Sequence, residues 1–565
     1  MGREAFSDSR TGRQSSAFRR CIDFQKQNHL MPVKLTIQNA KSVVLRTVSL
    51  ADADRPVLSD VLAAHGMPLN TRCGKQGWCH GCLVELVRSG ITGEETLQPV
   101  KSCEIKLEAN DDLLVRVPDH ARLEAEPQVG DSFEINMPVV LDPPWELFEK
   151  GRNLALAVDV GTTTVAVALV DLLRGEVLAR AGDFNAQIRF GDNVITRIVA
   201  AGIPGAREQM QRAVLLETIA PLVAEVCREA SRSIDQIAGC MVAGNTTMLH
   251  LLAGEDPEGL GVVPFTPKFI ASRSLHTTEL GLRGDCPVVL LPGFSAYVGA
   301  DLSAGVYATG MFCDEKPSLL VDIGTNGEIV LYAGGRLFGC ATAAGPAFEG
   351  AGLLAGTRAQ TGAISHVTIS RGEEFVFDFE TIGGGKAEDA PGLCGTAYVD
   401  FLAQGRASGL LLANGRFDAT TWSQLPKNKC TATPGGRTFK LAGDLCINEA
   451  DVAALLQAKA AIGAGIETLL KAAGLAAKDV GRLYLAGGFG LFIDVDHAIA
   501  IGLLPGFTRE QIKVVGNTSL GGAILAALDK NALVQMEKLR INAVILELNE
   551  QGGFENCYLD HLSLP

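Results

Sequence analysis

Apolar and polar residues alternate with a period of about two in several short stretches of the N-terminal part of the chain, a pattern typical of strands with one buried face. These strand-like stretches are Val33–Ile37, Ser42–Leu50 (less strictly), Leu83–Val87 and Leu113–Val117. Asp60–His65 has instead the spacing of a short helix. We therefore predict a small α+β domain over residues 33–118.

The pattern changes after Asn153, where β-branched apolar runs alternate with helical segments. Leu154–Val160, Ser318–Ile323 and Leu483–Ala486 have the composition of buried strands, and Glu449–Ala473 carries apolar residues near helical spacing. Repeated strand–turn–helix units predict a mostly parallel sheet covered by helices. We therefore predict an α/β region over residues 153–565.

The stretch between these two regions, residues 119–152, is rich in Pro, Asp and Glu and shows little periodicity. Such composition predicts a linker. Residues 1–32 are polar and carry Arg19–Arg20 without the apolar run that a secretory signal needs. We expect them to be a disordered tail or a misassigned start, with Met31 as a plausible true beginning.

The overall composition narrows the class of protein. Apolar residues make up 47% of the chain and charged residues 20%, as in a large folded protein. The net charge of −14 argues against nucleic acid as the main partner, because phosphate binding needs a basic face. We also predict no membrane span, because no run of about 18 apolar residues is free of charges.

Four of the 14 cysteines are grouped and the other ten are scattered singly. A disulfide framework is typical of small secreted chains, so we expect the scattered cysteines to be small buried apolar residues in a reducing cytoplasm. The grouped ones follow the pattern Cys73-x5-Cys79-x2-Cys82-x20-Cys103. Plant-type ferredoxins have the spacing C-x4-C-x2-C…C, one residue shorter in the first gap.

This spacing predicts that Cys73, Cys79, Cys82 and Cys103 hold a 2Fe–2S cluster. Glycines 74, 77 and 81 within the loop allow its backbone N–H groups to approach the sulfur atoms. The alternative is a zinc site, but four-thiolate zinc sites usually use two Cys-x2-Cys pairs and only one such pair is present. The loop and its flanking strands resemble those of β-grasp ferredoxins with a longer first gap.

Three glycine-rich turns follow apolar strands in the C-terminal region: Asp159–Val165 (DVGTTTV), Asp322–Glu328 (DIGTNGE) and Leu485–Gly490 (LAGGFG). The first two present backbone N–H groups and hydroxyls suited to phosphates, and each aspartate can hold Mg²⁺ through water. The third suits a flat base and its ribose. The chain has neither a P-loop nor a dinucleotide-binding fingerprint at a strand end.

The order of these turns resembles that of the sugar kinase, Hsp70 and actin superfamily, whose two related halves clamp ATP. The resemblance implies an actin-like ATPase with lobes at approximately 153–317 and 318–565, and Asp159, Asp322 and Glu328 as catalytic residues. It also implies that ATP and Mg²⁺ are bound. The implied nucleotide-binding residues are Gly161, Thr162, Thr163, Thr164, Gly324, Thr325, Asn326, Gly327, Gly487, Gly488 and Phe489.

Two further assignments stay open at this point. Glu328 or Glu349 can orient the attacking water, but Glu349 can equally be a carboxylate at a helix N-terminus. The Asn245–Thr247 turn can contact a ligand or act only as a helix cap.

Further motifs narrow the resemblance to the reductive activators of corrinoid proteins, which join an N-terminal ferredoxin to an ATPase of this fold. These motifs are Asn185–Arg197, Ala243–His250, Tyr297–Asp301, Ala344–Gly350, Leu393–Thr396 and Val515–Thr518. The resemblance implies ATP-dependent reduction of Co(II) to Co(I) on the corrinoid protein of a methyltransferase system. The implied partners are that corrinoid protein and an external low-potential electron donor, and a homodimer is compatible with the family.

Two other functions remain as alternatives. The first is activation of another low-potential enzyme by an ATPase of this fold, but those activators carry a four-iron cluster within the ATPase instead of an N-terminal ferredoxin. The second is an electron carrier or sensor that ATP only regulates. ATP turnover stimulated by a cobalt-loaded corrinoid protein separates the main prediction from both.

Overall fold

The computed structural model describes residues 33–39, 42–50, 56–67, 69, 82–89, 95–108, 112–118, 121, 133–137, 140–145, 151–372, 374–433 and 436–565. The predictions for residues 1–32, for Cys73 and Cys79, and for much of the 119–152 stretch lie outside these residues.

The N-terminal domain is a five-stranded mixed sheet with one helix. Its elements are β1 (Val33–Asn39), β2 (Val44–Leu50), α1 (Leu58–Ala64), β3 (Leu83–Ser89), β4 (Glu95–Lys101) and β5 (Asp112–Val117). The strand order is β2-β1-β5-β3-β4, with β1 and β5 parallel at the centre. The period of two is visible in β1, where Leu35 and Ile37 are fully buried beside Leu62 of α1. The predicted α+β architecture is confirmed.

The next part of the chain forms the first lobe of a larger α/β body. Its elements are β6 (Leu154–Val160), β7 (Thr164–Asp171), β8 (Glu176–Phe184), α2 (Val194–Ala201), α3 (Ala206–Arg212), α4 (Ala220–Glu229), β9 (Ile237–Gly244), α5 (Thr246–Leu252), α6 (Glu258–Gly261), β10 (Arg273–His276), β11 (Pro287–Leu290) and α7 (Ala300–Thr309). The sheet order is β10-β11-β9-β6-β7-β8.

The second lobe follows. Its elements are β12 (Ser318–Ile323), β13 (Gly327–Ala333), β14 (Arg336–Thr342), β15 (Ile364–Arg371), β16 (Phe375–Thr381), α8 (Gly395–Ala407), α9 (Ala419–Gln424), β17 (Cys430–Thr433), β18 (Gly436–Ala442), β19 (Leu445–Asn448), α10 (Glu449–Ala472), β20 (Arg482–Ala486), α11 (Gly488–Phe492), α12 (Val495–Ala500), β21 (Ile512–Gly516), α13 (Thr518–Leu528), α14 (Lys530–Asn542), β22 (Ala543–Ile545) and α15 (Phe554–Asp560). Its main sheet has the order β21-β20-β12-β13-β14-β22.

The two main sheets share one plan. In each, a central buried strand (β6 or β12) pairs antiparallel with the next strand, and a later strand (β9 or β20) pairs with it in parallel on the other side. Both sheets are therefore mixed: three of the five strand pairs are antiparallel in the first lobe, where the expectation of a mostly parallel sheet is wrong, and three of the five are parallel in the second. The reason is the short connection after each central strand, which allows a hairpin but not a parallel crossover. These two hairpin turns are the first two glycine-rich motifs.

The end of the chain returns to the first lobe. Buried residues of α13, together with Ala532 and Met536 of α14, belong to the hydrophobic core that contains β6, β7 and β9. Residues 518–536 thus pack with the first lobe, although they follow strands of the second. This packing carries the start of α13 to the cleft between the lobes.

Parts of the stretch predicted as a linker are attached to the first lobe. The Asn136 N–H donates to the Ala308 carbonyl at 3.1 Å, and the Asp142 N–H donates to the Leu528 carbonyl at 2.9 Å. The Trp145 indole lies on β9 where Gly239 leaves room, since a Cβ there would come within 2.3 Å of the ring. Residues 133–137 and 140–145 are therefore held by α7, β9 and α13.

Among the described residues, only α10 is long and apolar enough to span a membrane. Most of its apolar window, 78%, is buried inside the protein. Its N-terminus is closed by a capping box between Asn448 and Asp451. Packing in the second lobe therefore accounts for the apolar character of this helix.

Candidate functional site

The three glycine-rich motifs meet in one cavity of about 150 Å³ between the lobes. Asp159 near the end of β6 and Asp322 near the end of β12 lie on opposite sides of it, each followed by its hairpin turn. The predicted residues that line the cavity are Asp159, Gly161, Thr162, Thr163, Thr164, Asp322, Gly324, Thr325, Asn326, Glu328, Gly487 and Gly488. Gly327 is the exception within its motif, because it lies in β13 against Thr342 and Ile462.

Four acidic side chains lie together at this cavity: Asp159, Asp301, Asp322 and Glu328. Burial, followed by repulsion from Asp322, raises the pKa of Asp301 to about 8. Burial and the charge of Asp159 raise the pKa of Asp322 to about 7. Burial also raises the pKa of Asp159, and burial with the neighbouring acids raises the pKa of Glu328 well above its usual value.

Enclosed carboxylates that repel one another are stabilised in their ionised form by a cation. Carboxylate oxygens are also the protein ligands that Mg²⁺ prefers. The arrangement therefore fits a divalent cation. Asp301, in the first turn of α7, was not among the predicted site residues, although the Tyr297–Asp301 motif that contains it had been noted.

Asp159 is held in place by the start of α13. The Ser519 hydroxyl donates to Asp159 Oδ1 at 2.7 Å, and the Asn517 side-chain amide donates to Oδ2 at 2.9 Å. Asn517 also caps α13, because its Oδ1 accepts from the Leu520 N–H. Neither Asn517, which belongs to the Val515–Thr518 motif, nor Ser519 was predicted as a site residue, since only folding brings them to a strand more than 350 residues earlier.

Glu349 connects the two hairpin turns across the cleft. One carboxylate oxygen accepts from the Thr163 hydroxyl and the other from the Thr325 hydroxyl, each at 3.0 Å. Glu349 is the last residue of the short 3₁₀ helix Pro346–Glu349. Because this helix has only four residues, Glu349 belongs to its first turn and the alternative of a helix N-terminal carboxylate stays open, while the side chain lies among the residues predicted to bind phosphates.

Asn245 caps a helix and also contacts the first hairpin turn, while a contact of this residue with a ligand stays a prediction. Its Oδ1 accepts from the Met248 N–H at 3.0 Å and caps α5. Its side-chain amide donates to the Thr162 hydroxyl at 2.9 Å. The first hairpin turn is thereby tied to α5.

The Asn185–Arg197 motif supports the first hairpin turn from behind. Arg197 is fully buried, and its guanidinium donates to the Gly191 and Thr162 carbonyls. The Asn185 amide donates to the Gly161 carbonyl at 2.9 Å. Burial lowers the pKa of Arg197 to about 9, and the charge of Arg358 contributes to the shift. At neutral pH the group is still a cation, and it fixes the backbone that faces the cavity.

A second cavity of about 410 Å³ adjoins the first and lies mainly on the second lobe. The two share Thr163, Gly324, Glu349 and Gly488 in their walls. Phe489 lies here, stacked on Phe348 with ring centroids 5.2 Å apart. The two cavities are thus continuous from the hairpin turns to an apolar, aromatic pocket large enough for a nucleoside.

Only glycine fits at position 487, where the third motif reaches the acidic cluster. Its φ is +90°, and a Cβ would lie 2.6 Å from Asp322 Oδ1. The backbone of the third motif therefore packs directly against the second motif, with no room for a side chain between them.

Two of the four predicted cluster ligands, Cys82 and Cys103, belong to the described residues. Both are buried, and they flank the end of the β3–β4 hairpin where Leu83 pairs with Lys101. The Ser102 N–H donates to the Cys82 carbonyl at 3.1 Å. The hairpin therefore brings these two cysteines to the same end of the N-terminal sheet.

Comparison with known proteins gives matches over most of the chain. Residues 154–314 match the family model described as the RACo middle region, and residues 316–565 match the one described as the C-terminal domain of RACo, the ASKHA domain. A solved structure titled as a reductive activator for corrinoid, iron-sulfur protein is similar with a TM-score of 0.67 and 29% identity. It covers 94% of this chain and 98% of its own.

Two curated relatives are similar in sequence. The corrinoid activation enzyme RamQ of Eubacterium limosum is 30% identical over 550 residues, covering 84% of this chain and 90% of its own. A Co(II) methylated amine-specific corrinoid protein reductase of Methanosarcina barkeri is 27% identical over 440 residues. That match covers 72% of this chain and 76% of the relative.

Proposed function

The chain belongs to the RACo family, and from this premise we propose that it reduces a corrinoid protein from Co(II) to Co(I) in a reaction that depends on ATP. The observation that carries the proposal is the interlobe cavity, where two equivalent hairpin turns and the third glycine-rich motif surround four carboxylates. The relatives named for corrinoid activation or reduction support the choice of acceptor.

We propose that ATP lies along the two continuous cavities. Its phosphates contact Thr162, Thr163 and Thr164 on one lobe and Thr325 and Asn326 on the other, because these turns face each other. The adenosine lies near Gly487, Gly488 and Phe489 in the larger cavity. The nucleotide then contacts both lobes at once.

Mg²⁺ would be held near Asp159 and Asp322, with Asp301 and Glu328 close by, and would link the protein to the phosphates. In hydrolysis, water attacks the terminal phosphorus and ADP and phosphate are released. Glu328 and Glu349 are the carboxylates able to orient that water. Because Glu349 already accepts from Thr163 and Thr325, a phosphate that takes these two hydroxyls would free its carboxylate for the task.

In the N-terminal domain, Cys73, Cys79, Cys82 and Cys103 would hold a 2Fe–2S cluster. The cluster supplies one-electron transfer between an external low-potential donor and the corrinoid. The burial of Cys82 and Cys103 at one end of the β3–β4 hairpin is compatible with a shielded cluster. The setting is a methyl-transfer system, and we propose a cytoplasmic protein that can form homodimers.

ATP is needed because the Co(I) state is difficult to reach with an ordinary donor. A nucleotide-driven change that binds one corrinoid-protein state about 10⁴-fold better than another is worth about 5.5 kcal/mol. At about 59 mV per tenfold change for one electron, this shifts an apparent potential by about 240 mV. A shift of that size makes reduction by a cellular donor feasible.

The test is a reconstituted assay with the cobalt-loaded corrinoid protein, a low-potential reductant and ATP. We expect loss of the Co(II) electron paramagnetic signal only when both ATP and this chain are present, together with ATP turnover stimulated by the corrinoid protein. Cys79→Ser should abolish cobalt reduction but keep ATP turnover. ATP binding without turnover, with every corrinoid protein tried, would instead support the ATP-regulated carrier.

A further inference from the structure

Three side chains of different metal-binding types meet where α10 and α15 pack together. Glu467 lies on α10, Cys557 on α15, and His561 directly after α15. The Cys557 Sγ lies 3.4 Å from Glu467 Oε2, and the His561 Nε2 lies 3.2 Å from Glu467 Oε1. One ligand atom from each of the three falls within 4.8 Å of the others.

The two shorter separations, which involve different oxygens of Glu467, are close to those of a tetrahedral zinc site, and the 4.8 Å limit for the three atoms together requires the side chains to move slightly inward around an ion. Zinc–ligand bonds of about 2.0–2.3 Å at tetrahedral angles place neighbouring S, N and O ligand atoms about 3.3–3.6 Å apart. Thiolate, imidazole and carboxylate together are a ligand set that suits zinc better than magnesium or calcium. Cys557 and His561 are four residues apart, a spacing that puts both side chains on one face of α15.

Packing within the second lobe shields two of the three side chains from solvent. Cys557 is buried, and the His561 side chain is only 14% exposed. The ring packs over Gly463 of α10, where a Cβ would approach His561 Nδ1 to 3.0 Å. The approach of α15 to α10 thus depends on a glycine at the position that receives the histidine.

We propose that Glu467, Cys557 and His561 bind one zinc ion, with water in the fourth position, and that the ion fixes α15 to α10. The site is separate from the predicted cluster cysteines and from the acidic cavity between the lobes.

The place of α15 gives the proposed ion a structural consequence. Phe554 and Tyr558, on a neighbouring face of the same helix, line a further interlobe cavity of about 590 Å³. Asn326 of the second hairpin turn also lines this cavity. An ion that holds α15 would therefore fix one wall of the cleft next to the predicted phosphate site.

The competing explanation is that the three groups only form polar contacts between two helices. Lys471 supports that view, because its ammonium lies 3.3 Å from Glu467 Oε2. Its side chain is 68% exposed, however, and can move into water when a metal takes the carboxylate. The two explanations differ in what removal of Lys471 does to metal affinity.

The experiment measures zinc and iron by mass spectrometry in the purified full-length chain after chelator treatment and dialysis against a zinc buffer. We expect the wild type to hold one more zinc per chain than Cys557→Ser and His561→Gln. Cys313→Ser, which changes an exposed cysteine at the end of the first lobe, should retain the full zinc content. Any zinc bound by the predicted cluster cysteines would be present in all four proteins, so it would not change the differences in zinc content between them.

Replacement of zinc by Co²⁺ gives a second readout that does not depend on activity. The wild type should show thiolate-to-cobalt charge transfer and tetrahedral cobalt bands that Cys557→Ser lacks, and Lys471→Ala should keep or strengthen them. Circular dichroism checks that the variants are folded. Equal zinc in wild type, Cys557→Ser and His561→Gln would overturn the proposal, as would an unchanged cobalt spectrum in folded Cys557→Ser.

Discussion

The carboxylates between the lobes are arranged at the expense of stability. Burial raises the pKa of Asp159, and burial together with the charge of neighbouring carboxylates raises the pKa of Asp301, Asp322 and Glu328. Carboxylates with strongly shifted pKa values are common at functional sites. The chemistry requires them there, although they lower the stability of the folded state. Removing one carboxylate should therefore affect stability and activity in opposite directions.

Asp322→Asn is the sharpest form of this prediction. We expect it to lower ATP turnover by about 10²-fold or more, since a charged contact to the metal and the transition state is lost. In the metal-free protein the same change should raise the melting temperature by about one degree, because it removes repulsion worth on the order of 1 kcal/mol from a large folded region. Steady-state turnover with Mg²⁺ and thermal melting in a chelator measure the two effects.

Asp378→Asn is the matched control, because Asp378 is an exposed aspartate on β16 of the same lobe. We expect Asp378→Asn to change neither ATP turnover nor the melting temperature of the metal-free protein. A fall in the metal-free melting temperature of Asp322→Asn would contradict the view that the carboxylates repel one another.

Asp400 links two histidines of the second lobe, one of which, His366, lines the larger cavity. His366 Nδ1 lies 2.9 Å from Asp400 Oδ2, and His497 Nδ1 lies 2.7 Å from Asp400 Oδ1. Hydrogen bonding to the Asp400 carboxylate is the main cause that raises the pKa of each histidine. The protonated histidines therefore stabilise the fold, since they are more basic in the folded than in the unfolded chain.

This stabilisation should be fully present below the unfolded histidine pKa of about 6.5 and should be lost as the pH rises through the raised folded values. We expect Asp400→Asn to lower stability by about 1 kcal/mol at pH 6, allowing for solvent screening of the partly exposed rings, and by less at pH 8.5. Melting temperatures across this range give the measurement. Asp444→Asn, an exposed aspartate paired with Lys440, should leave the slope unchanged.

At the scale of elements, the sequence predicted a strand correctly wherever the local pattern of apolar and polar residues is enough to determine one. The alternation in Val33–Ile37 and the apolar runs at Leu154–Val160 and Ser318–Ile323 predicted β1, β6 and β12. Period alone does not determine a strand's partner, so the hairpins after β6 and β12 were missed.

The supporting residues of the site were missed for a related reason. Asp301, Asn517 and Ser519 come from α7 and α13, and only tertiary packing brings these helices to the ends of β6 and β12. The motifs Tyr297–Asp301 and Val515–Thr518 marked two of these residues through the family resemblance, but a local motif does not indicate which distant strand it approaches. The glycine-rich turns, by contrast, carry their own signal, and all three contribute residues to the same cavity.

The attached part of the 119–152 stretch gives a prediction at this scale. The Trp145 indole packs on β9, and its N–H donates to the Ala527 carbonyl at 3.2 Å. Trp145→Ala removes this partly buried contact, which should weaken the local attachment by about 2 kcal/mol. Hydrogen exchange of residues 133–145 should then be about 30-fold faster, because exchange follows the free energy of local opening.

Trp422→Ala provides the comparison, because Trp422 is also partly buried but lies in the second lobe against Phe417. It should leave exchange in residues 133–145 unchanged. Unaltered exchange in Trp145→Ala would show that Trp145 does not hold the segment to the lobe.

At the scale of the whole molecule, the two lobes are joined by α7 and α13 as well as by the site. Leu302 and Val306 of α7 pack with Leu320 and Tyr484 of the second lobe, while α13 packs in the first. A nucleotide that contacts both hairpin turns would therefore couple its own state to the angle between the lobes. This is the motion by which a proposed ATPase could favour one state of its protein partner.

The attachment of residues 133–137 and 140–145 also limits how the N-terminal domain can be connected to that motion. The N-terminal sheet ends at Val117, and at Phe133 the chain packs against the core of the first lobe and bridges to Gly516 of β21 in the second lobe. If the domain moves between an external donor and the corrinoid, the movement must be allowed by the residues between these two points. The length of that segment then determines whether the N-terminal domain can contact both the external donor and the corrinoid.

Deleting residues 122–127 tests this directly. Six residues span at most about 20 Å when extended, so the deletion removes that much reach. We expect Co(II) reduction to fall at least tenfold, whereas ATP turnover and reduction of the cluster by a small chemical reductant stay unchanged. Replacing the same six residues by Gly and Ser should preserve cobalt reduction, because length is kept. If the shortened protein reduces cobalt at the wild-type rate, the N-terminal domain does not swing, and electrons must reach the corrinoid from a fixed position.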